Sequence, residues 1–506
     1  MSNHLYDALM ASKPNENSPF LLLDERGNRG TLSFREFEAL TAQVAHTLVS
    51  QGVTPGDRVV VQAPKRSEIL ALYVATIQVG AVFLPLNTAY KLSELTYFIQ
   101  DSTPKLIVCT PSAEAALLPI AADVGAAVMT IDADGGGSLL EDSNAQPTIF
   151  TTVARAADDL AALLYTSGTT GRSKGAMLSH DNLLSNAQVL TDLWQITGED
   201  VLIHALPVFH THGLFVAMNT ALLAGAQVNF MSSFDLDNII EALPSSTLLM
   251  GVPTFYTRLL NDDRLSSDLV ANMRLFISGS APLLAETHDL FTERTGHRIL
   301  ERYGMTETNM NTSNPYDGER RAGTVGIPLP GTEVRLTSVS GEMVTDSSVG
   351  MIEVRGPNVF LGYWNMPEKT AEELRADGFF ITGDLGEFSS DGYLSIVGRQ
   401  KDLIITGGFN VYPKEIEDVL NDITGIQESA AFGVPDSDFG EAIVAAVVAE
   451  PNAVLDTHSI QDVVNERLAR FKHPRRFEVV TELPRNTMGK VQKNVLREKY
   501  SSDTDD

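Results

Sequence analysis

The chain has 506 residues, which is too long for one ordinary domain. Its 37 Lys and Arg residues stand against 65 Asp and Glu residues, and the resulting net charge of −28 argues against a nucleic-acid-binding protein. A single cysteine, Cys109, excludes an internal disulfide and a cysteine-built metal site. Residues 1–11 do not follow the pattern of a secretory signal. We therefore expect an acidic, cytoplasmic protein with no nucleic-acid partner.

The first 200 residues alternate predicted helices and strands. Ser33 and Glu36 form a capping box that begins a helix, and Gly52 ends it. The apolar pattern predicts another helix over 68–79. Predicted strands cover 58–62, 105–110 and 160–166. This alternation is typical of the α/β class, in which largely parallel sheets are covered by helices.

The segment from 201 to 234 contains no Lys, Arg, Asp or Glu. A membrane span needs about 20 mostly apolar residues, and His204, Pro207 and Asn219 are among the residues that interrupt this one. We therefore predict a buried strand, loop, helix and strand here, without a membrane partner. Such a segment also suits the wall of a ligand cleft.

The pattern changes twice in the last third of the chain. Strands and turns are predicted over 331–398. Beyond this stretch we expect a compact α+β region with helices at 413–420 and 459–468 and strands at 428–434, 442–449 and 477–480. Residues 470–499 hold nine Lys and Arg against three Asp and Glu. This local positive charge would suit a polyanionic ligand.

The string YTSGTTGRSKGA, residues 165–176, directly follows a predicted strand. Its three glycines make it flexible, its backbone N–H groups and five Ser and Thr hydroxyls can wrap phosphate oxygens, and Lys174 can supply the opposite charge. The spacing of a Walker A loop does not occur in it. The string therefore predicts a phosphate-binding loop of another kind.

This loop resembles the phosphate-binding loop of the adenylate-forming superfamily, which includes acyl-CoA synthetases, luciferases and nonribosomal-peptide adenylation domains. The resemblance extends to SGSAPL, RYGMTET, ITGDLG, GRQKD, GGFNVYP and PRNTMGKVQK. It implies a large N-terminal adenylation domain over 1–398, a hinge at 399–402 and a mobile C-terminal domain over 403–506. It also implies ATP and coenzyme A as substrates and Mg²⁺ as the metal ion.

The resemblance further implies roles for individual residues. Lys490 would be the catalytic lysine, Glu307 the Mg²⁺ ligand and Lys401 the pivot of the hinge. The residues implied for ATP binding are Thr166, Ser167, Gly168, Thr169, Thr170, Gly171, Lys174, Gly279, Ser280, Ala281, Glu301, Tyr303, Gly304, Thr306, Asp384 and Arg399. Those implied to approach coenzyme A are Gly407 and Gly408.

The acid is suggested by two arginines, Arg302 beside the adenine motif and Arg258 in GVPTFYTR. An arginine in the acyl site would leave a desolvated charge unpaired with an apolar acid, whereas a second carboxylate would pair with it. Longer strings such as HALPVFHTHGLFVA resemble malonyl-CoA synthetases. This resemblance implies malonate as the acid and methylmalonate as a slower substrate. The residues expected around the malonate methylene are His210, Thr211 and Met310.

Other functions stay open at this point. Oxalate also carries two carboxylates, so a ligase for oxalate, or for another short acid such as acetate, is an alternative. A carrier-protein adenylation domain or a luciferase-like enzyme is a more distant one.

Overall fold

The computed structural model describes residues 2–25, 28–166, 173–338, 341–344, 348–407, 409–436, 439–451, 453–486 and 489–501.

The strands are numbered in chain order. They are β1 (Pro19–Glu25), β2 (Asn28–Ser33), β3 (Arg58–Gln62), β4 (Val82–Pro85), β5 (Leu106–Cys109), β6 (Ala127–Thr130), β7 (Leu160–Thr166), β8 (Lys174–Ser179), β9 (Val201–His204), β10 (Gln227–Met231), β11 (Leu248–Gly251), β12 (Leu275–Ser278), β13 (Leu300–Met305), β14 (Asn309–Ser313), β15 (Ile327–Pro328), β16 (Glu333–Thr337), β17 (Gly350–Arg355), β18 (Gly362–Tyr363), β19 (Phe380–Phe388), β20 (Leu394–Arg399), β21 (Ile404–Thr406), β22 (Phe409–Val411), β23 (Ile426–Asp436), β24 (Gly440–Ala449) and β25 (Arg476–Val480).

The α-helices are numbered in the same way. They are α1 (His4–Leu9), α2 (Phe34–Ser50), α3 (Ser67–Gln78), α4 (Leu92–Ser102), α5 (Pro111–Val124), α6 (Ser138–Ser143), α7 (His180–Leu193), α8 (Asn219–Ala224), α9 (Leu236–Ala242), α10 (Pro253–Leu260), α11 (Ala285–Thr295), α12 (Pro367–Glu373), α13 (Pro413–Asn421), α14 (Thr457–Arg467) and α15 (Lys493–Ser501). A π-helix covers His212–Met218, and 3₁₀ turns cover Leu243–Ser245, Gln400–Asp402 and Arg470–Lys472.

The chain forms two compact units. One holds Met1–Glu333 and Val354–Phe380, and the other holds Val334–Glu353 and Ile381–Asp506. Most strands of the predicted β-rich stretch therefore pack with the C-terminal unit. The domains expected on either side of a hinge at 399–402 are defined by how they would move, whereas these two units are defined by packing. The predicted domain boundaries therefore stay a prediction.

A seven-stranded sheet in the N-terminal unit has the order β18-β8-β7-β4-β3-β5-β6. Strands β7, β4, β3, β5 and β6 run parallel, as the alternating pattern predicts. Strand β8 returns antiparallel to β7, so that Thr166 and Lys174 face each other in register. The short β18 then pairs with β8 and places Tyr363 opposite Ala176. The two ends of the predicted phosphate loop are thereby fixed side by side.

A nine-stranded sheet in the same unit has the order β15-β14-β13-β12-β11-β9-β10-β1-β2. The strands from β13 to β1 are parallel neighbours, so their carboxyl ends share one edge. In open α/β sheets ligands bind outside this edge. The segments after β9, β11 and β12 leave from it, and they carry the predicted acyl and adenine residues.

The C-terminal unit holds a sheet of order β16-β17-β19-β20 and a sheet in which β22, β21, β24 and β23 are joined by β25. Residues of β24 alternate between the two faces of the second sheet. Ile443, Ala445 and Val447 pack with α13 and α14, whereas Val444 and Ala446 pack with α15. This two-sided burial explains the long apolar run of β24.

Most predicted elements are confirmed, including the capping box at the start of α2 and the strand, loop, helix and strand of 201–234. The β-rich stretch differs, because α12 interrupts it. This helix buries none of its residues, so no apolar stripe marked it in the sequence. No helix in the described ranges combines the length and apolar character that a membrane span requires.

Candidate active site

The hairpin of β13 and β14 carries the predicted adenine and metal motif. Its register pairs Arg302 with Ser313 and Gly304 with Met310. A Cβ at Gly304 would lie 1.9 Å from the carbonyl oxygen of Asn309, so only glycine fits the closely packed strands there. Several predicted residues are therefore held together on one rigid element. They are Glu301, Arg302, Tyr303, Gly304, Thr306, Glu307 and Met310.

Arg302 is only 3% exposed. Its guanidinium lies against the backbone of Gly279, where an added Cβ would fall 2.4 Å from Nη1. Burial lowers the pKa of Arg302 to about 9, although Tyr256 and Glu301 oppose this shift. The side chain remains a cation at neutral pH, and its position depends on the missing side chain of Gly279.

Two histidines lie within the electrostatic influence of Arg302. Burial, and then the charge of Arg302, lower the pKa of His210 to about 4. The same two causes hold the pKa of His212 well below its ordinary value. Both rings are therefore neutral at pH 7, and Arg302 supplies the positive charge of this cluster.

The same cluster contains buried polar atoms without a hydrogen-bond partner among the residues that the structure describes. They are Nε and Nη2 of Arg302, Oγ1 of Thr211, Nε2 of His212 and Oγ of Ser278. Buried polar groups are nearly always hydrogen-bonded in native proteins. Their grouping around one cation therefore points to a polar, negatively charged ligand.

The other predicted arginine lies elsewhere. Arg258 is exposed on α10, and its Cζ lies 5.2 Å from the centre of the Phe234 ring. Of the two arginines expected to hold an acid, Arg302 alone lies in the buried cluster. Phe255, Tyr256 and Leu259 form the buried side of α10, so Arg258 lies on the polar side, where an amphipathic helix places a charged residue.

The predicted adenine loop continues from β12. Ser280 has a left-handed backbone with φ of 71°, and its Oγ lies 3.2 Å from Nδ1 of His212. The preceding Gly279 supports Arg302, and Ala281 is half-buried. The loop thus forms one wall of the cluster that contains the predicted acyl residues.

A second polar network surrounds the end of the phosphate loop. Oε1 of the buried Glu307 accepts a hydrogen bond from Thr166 Oγ1 at 3.3 Å and lies 3.1 Å from the hydroxyl oxygen of Tyr363. Lys174 Nζ donates to both carboxylate oxygens of Glu373, at 3.0 and 3.1 Å. Burial raises the pKa of Glu307 despite the nearby charge of Lys174. The structure thus brings Thr166, Lys174 and Glu307 together.

Ser167, Gly168, Thr169, Thr170 and Gly171 lie outside the described residues, as does Gly408.

The remaining predicted nucleotide residues lie in the C-terminal unit. Asp384 and Arg399 face each other on β19 and β20, and their side chains form an ion pair of 2.8 Å. Lys490 is half-buried beside Gly489, whose φ is 76°. Its backbone N–H donates to Oδ1 of Asn486 at 3.0 Å. A turn, rather than a helix, therefore presents Lys490.

The charge of Lys490 is influenced by four neighbours. Burial, and then the repulsion of Arg399, lower the pKa of its ammonium to about 8, with a further contribution from Lys401. Asp384 and Asp402 act in the opposite direction. Lys490 is thus mostly charged at pH 7, and its charge is lost at a lower pH than that of an ordinary lysine.

The predicted hinge and coenzyme A segments lie in the same unit. Lys401 is exposed in a 3₁₀ turn, and the neighbouring Asp402 pairs with Arg497 at 3.0 Å. Gly407 has a φ of 57°, which favours glycine. Nearby, the exposed ring of Phe409 stacks on the exposed ring of Phe471, and their centres are 4.6 Å apart.

Three residues of these clusters were not predicted. Tyr363 and Glu373 reach Lys174 across about 190 and 200 positions of the chain. Lys65 Nζ donates to Nδ1 of His204 at 2.7 Å, near the start of the charge-free segment. No local spacing signals such pairs, since sheet topology alone creates them.

The chain matches the family model for AMP-binding enzymes over 11–364 and that for the AMP-binding enzyme C-terminal domain over 415–490. It is similar to the malonate–CoA ligase of Arabidopsis thaliana, with 35% identity covering 88% of this chain and 78% of the relative. A feruloyl-CoA synthase of an Amycolatopsis species is also 35% identical, over 93% and 94% of the two chains. The ATP-bound crystal structure of MatB from Rhodopseudomonas palustris matches with a TM-score of 0.96 and 54% identity, covering 99% of both chains.

The neighbours of Lys490 generate a testable prediction. We expect the amine to react with acetic anhydride with an apparent pKa near 8. Arg399→Gln removes a repelling cation and should raise this pKa, whereas Asp384→Asn removes an attracting anion and should lower it further. Mass spectrometry of the labelled peptide across pH measures both shifts. Shifts of the same sign in the two variants would contradict the arrangement.

Proposed function

We propose that this chain, which belongs to the AMP-binding enzyme family and is an AMP-forming acyl-CoA ligase, takes malonate as its acid. The observation that carries the proposal is the buried guanidinium of Arg302, whose Nε and Nη2 have no hydrogen-bond partner within the described chain. A second carboxylate on the acid would supply both acceptors at once. Arginine binds carboxylates in this two-pronged way.

The cost of leaving Arg302 unpaired favours a diacid over an apolar acid. Removing one partner of a buried ion pair typically costs about 3–5 kcal/mol. An apolar acyl chain would seal this cation away from water without replacing its hydrogen bonds. The neutral rings of His210 and His212 add no second positive charge, and the charge of Glu301 acts on Arg302 without a hydrogen bond to its Nε or Nη2.

Similarity to relatives does not by itself favour malonate, and the residues of the site are needed to choose between acids. The Arabidopsis malonate–CoA ligase and the Amycolatopsis feruloyl-CoA synthase are equally identical to this chain. Overall identity therefore does not separate a short diacid from an aromatic acid. A ferulate ring would have to pack against the guanidinium and the unpaired polar atoms around it, whereas malonate would bind them.

In the first half-reaction, one malonate carboxylate attacks the α-phosphorus of ATP, and pyrophosphate leaves. The carboxylate is already ionised at pH 7, so no general base is needed. Lys490 would neutralise charge on the attacking carboxylate and the α-phosphate, and Lys174 would act on the leaving phosphates. Because the pKa of Lys490 is lowered to about 8, kcat/KM of this step should fall as the pH rises above that value.

Mg²⁺ is the usual ion of the family, and the residues present fit it. The buried carboxylate of Glu307 and the hydroxyl of Thr166 are hard oxygen ligands. The described residues contain no group of three acidic, histidine or cysteine side chains that could hold a metal alone. This fits an ion that takes its other ligands from the nucleotide and water, and that would neutralise charge on the phosphates.

In the second half-reaction, the thiol of coenzyme A attacks the malonyl-adenylate and displaces AMP. We assign this step to the C-terminal unit turning about Lys401, which would withdraw Lys490 and present Gly407. The basic residues of 470–499 and the stacked rings of Phe409 and Phe471 suit a nucleotide that carries several phosphates.

Methylmalonate and oxalate are the acids closest to this proposal. A methyl group on the malonate methylene would meet the buried Thr211 and Met310. Discrimination over one methyl group is worth only about 1–3 kcal/mol, so methylmalonate should be a slower but real substrate. Oxalate satisfies the charge argument too, but it is one carbon shorter.

Removing the guanidinium of Arg302 tests the proposal. We expect Arg302→Ala to lower kcat/KM for malonate at least about 100-fold, because the distal carboxylate loses its partner, while the affinity for ATP stays within about threefold. Arg258→Ala removes the exposed arginine and is the matched comparison, with an expected change below about threefold. Pyrophosphate release and ATP titration measure these effects. Unchanged malonate kinetics in Arg302→Ala would refute the proposal.

The hinge assignment has its own test. Lys401→Pro stiffens the hinge segment about which the C-terminal unit is proposed to turn. The malonate-dependent exchange of pyrophosphate into ATP should therefore survive, while thioester formation is lost. Equal survival of both half-reactions would show that residues 399–402 are not the pivot.

A further inference from the structure

We propose that Glu373 is a built-in competitor of the ATP phosphates for Lys174, and so a positioning residue that weakens polyphosphate binding. The proposal rests on the assignment of Lys174 to the phosphates under the proposed function. It concerns the N-terminal unit alone, since all the side chains involved lie there.

Three acceptor oxygens among the described residues surround the ammonium of Lys174. Its three N–H groups are matched by the two carboxylate oxygens of Glu373, at 3.0 and 3.1 Å, and by the hydroxyl of Tyr363 at 3.1 Å. The side chains of Lys174 and Glu373 are only 14% and 22% exposed, so water screens the pair poorly. A phosphate oxygen can reach this ammonium only if a contact to Glu373 or Tyr363 is released.

Glu373 keeps partners after Lys174 leaves. Its Oε2 accepts from the Tyr363 hydroxyl at 2.6 Å, and Lys369, one helical turn earlier, lies 3.0 Å from its Oε1. The carboxylate is therefore never stranded as an unpaired buried charge. The transfer of Lys174 to a phosphate costs the ion pair but not the full desolvation of Glu373.

The arrangement has a consequence for catalysis. Each turnover must bind ATP and later release pyrophosphate from the same loop. A carboxylate that takes Lys174 back weakens the binding of both polyphosphates and assists the departure of the second. Glu373 thus limits affinity in order to favour product release.

The direct test is ATP titration by calorimetry in excess Mg²⁺ and without acid, so that malonate has no part in the result. Glu373→Gln keeps the shape but removes the charge, and we expect the Kd for ATP to fall about fivefold. Glu372→Gln removes an exposed neighbour on the same helix that pairs with Lys369, and it should leave the Kd unchanged. The inhibition constant of pyrophosphate should fall in parallel with the Kd for ATP in Glu373→Gln.

A double-mutant cycle separates competition from a general charge effect. In a Lys174→Met background, Glu373→Gln should change the Kd by less than about twofold, because there is no ammonium to release. Lys369→Met is a second variant, and it should change the affinity for ATP in the opposite direction. It removes the alternative partner of Glu373, so it should weaken ATP binding about twofold.

Several outcomes would overturn the proposal. An unchanged or raised Kd in Glu373→Gln, or the same tightening with and without Lys174, would show that Glu373 does not compete. If Lys174→Met alone leaves the Kd unchanged, the assignment of Lys174 to the phosphates fails as well. Tight ATP binding combined with poor use of malonate would instead contradict only the proposed acid.

Discussion

The proposed acid site depends on one buried cation. Arg302 is fixed by the register of β13 and β14 and by the absence of a side chain at Gly279. Its guanidinium is therefore held away from water, and two of its nitrogens, Nε and Nη2, face no acceptor within the described residues. Such an unpaired buried charge raises the free energy of the unliganded enzyme, and a bound anion would offset this increase. The specificity proposed for malonate follows from this constraint more than from the shape of the site.

The other residues of the N-terminal unit are arranged by the same rule of parallel sheets. Successive strands of the nine-stranded sheet end at one edge, and the segments that follow bring His210, Ser280 and Arg302 into one cluster. The seven-stranded sheet likewise brings together residues that are proposed to bind the phosphates. The β7 and β8 hairpin sets Thr166 beside Lys174, and β18 adds Tyr363. The two sheets thus hold two clusters, one around the buried Arg302 and one around Lys174, which is already paired with Glu373.

The sequence predicted what is local and did not predict what topology creates. The capping box of Ser33 and Glu36 and the strand predicted over 105–110 depend only on neighbouring residues. The structure confirms both, with the strand at Leu106–Cys109. The family resemblance suggested Arg258 for the acyl site, whereas the apolar pattern of its helix buries Phe255 and Leu259 and leaves Arg258 exposed. The contact of Lys174 with Glu373 spans 199 positions and has no local signature. Motifs reveal which residues do chemistry, but the partners that tune their charge come from strand order.

The comparison of malonate with malonamate tests the central claim most directly. Malonamate has nearly the same size and keeps one carboxylate to activate, but it replaces the distal carboxylate with a neutral amide. If Arg302 binds that distal group as an ion pair, kcat/KM measured by pyrophosphate release should be at least about 100 times higher for malonate. Values within about threefold of each other would show that Arg302 does not form an ion pair with the distal carboxylate. The proposed role of Arg302 in the acid site would then be wrong.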